Sequence, residues 1–190
     1  ISSSKIEEKG MDLFVRLVTE NDMISKLLDK SEEGNARISS KAQESLIDFS
    51  FHPTIGEGFV STYLISRLDS HLKNNNTKGI SVMLNLLYKF VTSFGMGKKD
   101  SPLTPKSVLK GVIPPLFHKD QDVRNIALKI LLEIQKKTGC VYESIFKDTN
   151  IPSASQNLVE HIIKKVKEVE VEKTESGQLL LEDDEDREDQ

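Results

Sequence analysis

The sequence has one cysteine, no tryptophan and no apolar run near the roughly 20 residues needed to cross a bilayer. Each absence excludes something. A lone Cys140 has no partner for an internal disulfide, which fits a reducing compartment such as the cytosol. The start, Ile1-Ser2-Ser3-Ser4, carries neither an initiator methionine nor the apolar centre of a signal peptide, so the chain reads as a piece of a larger protein. His52, His71, His118 and His161 are far apart and form no H-x-x-H or H-E-x-x-H pair, so no metal site is expected. Gly95-Met96-Gly97-Lys98-Lys99 lacks the phosphate-loop spacing and follows a helical pattern instead of a strand. No Ser/His/Asp order suggests a nucleophile, and dense carboxylates occur only near the end of the chain. The expectation is a protein that is not an enzyme and takes no cofactor.

Charge is unevenly divided. From Thr174 onward there are eight acids and one base, Arg187. Residues 1–173 therefore carry 25 bases and 22 acids, a small positive balance behind a net charge of −4. That body is too weakly basic to point to nucleic acid, but it suits an acidic protein partner. Residues 174–190 read as an acidic disordered tail, since dense like charge with little apolar content does not offset ordering entropy.

What the sequence does have is a repeat. Ile38, Ala42, Leu46 and Phe49 are followed by Ile80, Leu84, Tyr88 and Val91, and then by Val123, Ala127, Leu131 and Ile134, at a period of 42 to 43 residues. Spacing i, i+4, i+8, i+11 puts each set on one helix face. Ser45, Leu87 and Ile130 keep the same offset. The reading is all-α, an α-solenoid of HEAT-like antiparallel helix pairs over residues 1–173.

Punctuation places the helices. A stretch over 6–28 breaks near Asn21-Asp22. Asn35 caps a helix over 36–50, which ends at His52-Pro53. A short helix spans 56–68, a polar loop 73–78, and a further helix 79–94 that stops at Gly95 and Gly97. Thr104-Pro105 starts the next helix, and Pro114-Pro115 kink or split it. Asp120 caps a helix running to about Lys137. A short helix near 140–147 and a last one over 155–170 close the array.

Basic residues collect at the turns within pairs: Arg37, Lys73, Lys78, Lys119 and Arg124. Such turns lie along one edge of a solenoid, so these five are the candidate contact row. The competing reading is an ordinary solvated edge. For Arg124 it is a structural role, pairing with an acid of an adjacent repeat. Ser39 stands at the equivalent position of the first repeat, so an arginine ladder is incomplete.

Several strings carry a resemblance: Gly58-Phe59-Val60-Ser61-Thr62-Tyr63-Leu64, Leu84-Asn85-Leu86-Leu87-Tyr88-Lys89-Phe90, Leu103-Thr104-Pro105-Lys106-Ser107-Val108, and His118-Lys119-Asp120-Gln121-Asp122-Val123-Arg124. Together, over about 33–169, the chain resembles the TOG domain of the 104-kilodalton centrosomal and ciliary-tip protein family. The resemblance implies a non-catalytic tubulin- or microtubule-binding module of a ciliary or centriolar protein. It further implies contact through intra-repeat turns, and a place in the cytoplasm and cytoskeleton, at a cilium tip or centriole. Other ciliary or centriolar proteins are implied partners; nucleic acid and membrane are not. His118-Lys119 matches a His-Arg pair of that family, which makes Lys119 the first tubulin-contact candidate. Many TOG domains carry a tryptophan in the first repeat's turn, and this chain has none. The alternative is a general HEAT or armadillo scaffold that binds a peptide or helix of a partner.

Overall fold

Helix starts fall where short polar side chains can satisfy the free N–H groups of a first turn. In a computed structural model, which describes residues 13, 15–96, 103–138 and 160–168, these caps are formed by the expected residues. The Asn35 side chain accepts from the N–H groups of Arg37 and Ile38 at the start of α2 (Ala36–Phe51). Thr104 and Ser107 close a reciprocal capping box ahead of Pro105, the first residue of α5 (Pro105–Val112). The Asp120 carboxylate accepts from the N–H groups of Asp122 and Val123, opening α6 (Gln121–Thr138).

The remaining labelled helices are α1 (Met23–Ser31), α3 (Gly56–Lys73) and α4 (Thr77–Phe94). Residues 15–20 and 160–168 are also helical, and no strand occurs among the described residues. The chain is therefore all-α where it is described. Asp22 takes a left-handed conformation (φ 50°), which breaks the N-terminal helical stretch at the expected place. Pro114 and Pro115 lack the N–H groups a helix needs. The helix accordingly stops at Val112 and tightens into a 3-10 turn, Pro114–Phe117.

Two boundaries differ from expectation. α1 runs to Ser31 because the Ser31 hydroxyl folds back onto the Leu28 carbonyl, 2.7 Å away, and is buried without cost. α3 continues five residues past Leu68, where His71 on this extension meets Glu32 in the turn after α1, next to the Arg67 contacts with Asp29 and Glu32. The expected helix near 140–147, Cys140 and the acidic tail lie outside the described residues.

Short connections of three or four residues make α1–α2 and α3–α4 helix hairpins. α5 with its 3-10 turn packs on α6. α1 touches α3, α3 touches α5, and α4 lies along α6, so first helices meet first helices. A single apolar core runs from Val18 through all six labelled helices to Ile162 and Val166. Ala42, Leu84 and Ala127 are all buried, as their common register predicts. Ile38 departs from that register. Its equivalents Ile80 and Val123 are 1% and 0% exposed, whereas Ile38 is 42% exposed. It belongs to the first hairpin, and no described helix lies over that side of α2.

Candidate functional site

The first two turns inside the helix pairs are tied to each other. Arg67, on α3, donates through Nε to Glu32 Oε1 at 2.9 Å and through its terminal nitrogen to Asp29. His71, one turn further along α3, lies 2.9 Å from the same Glu32 oxygen. Glu32 begins the turn after α1, so these contacts join the first turn to the end of α3. Asn76 then joins it to the second turn. Its Oδ1 accepts from the Gly79 N–H at 3.1 Å, which caps α4. Its amide nitrogen consequently faces His71 Nδ1, at 3.1 Å. Nδ1 must accept there, so the neutral imidazole carries its proton on Nε2 and donates to Glu32. The hydrogen bond to Glu32 raises the Arg67 pKa above its ordinary value.

A groove of about 530 Å³ lies between the second turn and the third. Leu72, Ile80, Pro114 and Phe117 form its floor, and Asn75 and Lys119 stand on either side. His118 also lines it; its Nδ1 accepts the Asp120 N–H at 3.1 Å.

On this edge Arg37, Lys78 and Lys119 are exposed, and none of the three joins an ion pair among the described residues. Lys73 is exposed and reaches Asp69 at 2.7 Å within its own helix. Arg37 opens α2, Lys73 and Lys78 flank the second turn, and Lys119 lies in the third. Arg124 is different. It is half-buried, and one guanidinium nitrogen donates to the carbonyls of His118 at 2.7 Å and Lys119 at 2.8 Å. It braces the turn that carries Lys119 instead of pairing with an acid of a neighbouring helix pair.

The brace of Glu32, Arg67, His71 and Asn76 was not among the residues singled out from sequence. A usable signal exists: acids at Asp29 and Glu32, three apart at the end of α1, face bases at Arg67 and His71, four apart on α3. Among the described residues no three His, Cys, Asp or Glu side chains gather as metal ligands, and no helix is long and apolar enough to cross a membrane. No protein-family model matches the chain, and no curated protein matches it.

Proposed function

We propose that the chain is a non-catalytic binding module, a partial TOG-type array of HEAT-like helix pairs that meets tubulin or a microtubule through its turn edge. The pairs in this reading are α1–α2, α3–α4 and α5–α6. One observation carries it: the first two intra-pair turns are braced to each other and a groove lies between the second and the third, with exposed Arg37, Lys78 and Lys119 at these turns in no ion pair among the described residues. A braced edge presents its charges in fixed relative positions, so little ordering entropy is lost on docking. The basic row suits an acidic protein surface, where charge raises the encounter rate and sets register. A ciliary or centriolar setting follows from the resemblance in the four sequence strings.

A salt series tests the mode of contact. Binding through exposed lysines weakens steeply as ionic strength rises, because the screening length falls from about 10 Å at 0.1 M to about 3 Å at 1 M. Binding of a partner helix through apolar anchors, as in a general scaffold, is far less sensitive. Microtubule co-sedimentation between low and high salt therefore separates the two readings. Salt-indifferent binding rejects the edge contact.

A further inference from the structure

A second surface lies off the turn edge, on the first hairpin. Leu27 of α1 and Ile38, Ala42 and Ser45 of α2 line a shallow groove of about 370 Å³. In the same register Ile80, Leu84 and Leu87 of α4, and Val123, Ala127 and Ile130 of α6, are buried in the core. Among the described residues the first copy of the stripe is thus left partly open. Three bases stand around it: Lys30, Arg37 and Lys41. Lys30 reaches Glu33 and Lys41 reaches Glu44, but both pairs are exposed and within one helix turn or turn region, so they exchange readily for other partners. Arg37 has no ion-pair partner among the described residues.

Such a groove suits a short branched apolar run followed at once by several acids. The sequence holds one segment of that kind. Leu179-Leu180-Leu181 is continued by Glu182-Asp183-Asp184-Glu185-Asp186. The other adjacent leucines, Leu27-Leu28, Leu86-Leu87 and Leu131-Leu132, belong to α1, α4 and α6; Leu28, Leu86, Leu87 and Leu131 are already buried, and Leu27 lines the groove itself. We infer that residues 179–186 dock on the α1–α2 groove, with the leucines on Leu27, Ile38 and Ala42 and the acids against Lys30, Arg37 and Lys41. The eleven residues from Glu168 to Leu179 reach up to roughly 36 Å. A tether of that length that spans the gap gives effective concentrations on the order of millimolar. A docked segment would cover Arg37, one end of the basic row. That consequence rests on the proposed function, whereas the docking does not.

Disulfide trapping in the full-length chain tests it without tubulin. In a Cys140→Ser background, Ser45→Cys is paired with Gln178→Cys, and Asn85→Cys, on the exposed side of α4, is paired with Gln178→Cys as reference. Neither Ser45 nor Asn85 is a core hydrophobic residue, and circular dichroism checks that the helices persist. In a glutathione redox buffer the 45–178 bond is expected to form about tenfold more favourably than the 85–178 bond. Leu180→Ser with Leu181→Ser, or Arg37→Glu with Lys41→Glu, should each remove that advantage. The adduct mass reports whether the segment comes from the same copy or a neighbouring one, and either satisfies the inference. Equal bond formation at the two sites, or an advantage indifferent to both sets of substitutions, overturns it.

Discussion

The imidazole of His71 packs so closely on Gly79 that a methyl group there would come within 2.7 Å of three of its ring atoms. Both ring nitrogens are held, one by Asn76 and the other by Glu32, so the ring has no easy way to withdraw. Gly79→Ala improves helix propensity by up to about 1 kcal/mol. Displacing the ring should outweigh that, leaving a net loss of about 1–3 kcal/mol. In urea denaturation, His71→Ala combined with Gly79→Ala should recover part of the loss. Strictly additive losses would mean that the two residues do not oppose each other.

Glu32 accepts from both Arg67 and His71, whereas Asp29 accepts from Arg67 alone and is largely exposed. Glu32→Ala strands two donors at a part-buried position and should cost about 1–3 kcal/mol. Asp29→Ala should cost under about 1 kcal/mol. The order of the two denaturation midpoints checks this.

Leu131 is fully buried on α6, against the helices that build the core. Leu131→Ala should lower stability by about 2–5 kcal/mol, since the gap left among packed helices closes only in part. A loss under about 1 kcal/mol in chemical denaturation would contradict a packed interior at this site.

Arg124 braces the turn that carries Lys119. Arg124→Met removes donors from two carbonyls and should cost about 1–2 kcal/mol. Arg124→Lys should restore only part of it, because the lysine ammonium sits one bond nearer the backbone than the Nη1 that reaches both carbonyls. Amide exchange at Lys119 and Asp120 should quicken in both variants, and unchanged exchange would show that the brace is idle.

Caps and breakers were the most legible features. Asn35, Thr104-Pro105, Asp120 and the Pro114-Pro115 pair act through neighbours a few residues away, so their effect is written locally. The buried stripe was legible because helical period fixes it, and Ala42, Leu84 and Ala127 follow it. Ile38 does not, because burial depends on what lies across the face, and spacing within one helix does not record that. The extension of α3 to Lys73 was missed for a similar reason: the partner of His71, Glu32, is 39 residues away. Of the five basic candidates, position at the turns was legible for all, but the tie between Arg124 and the carbonyls of His118 and Lys119 depends on how that turn folds back.

The central claim is that the turn edge, and not charge in general, makes the contact. Lys119 and Lys129 are both exposed, and Lys129 sits on α6 roughly 12 Å along the helix from its start. At 0.1 M salt that separation exceeds the screening length of about 10 Å. Microtubule co-sedimentation of Lys119→Glu and Lys129→Glu, with circular dichroism matched to the parent, compares equal charge changes at two places. The account predicts binding weakened about five- to tenfold by Lys119→Glu and by less than about twofold by Lys129→Glu. Equal losses from the two reversals, or no binding by the parent chain, would contradict it.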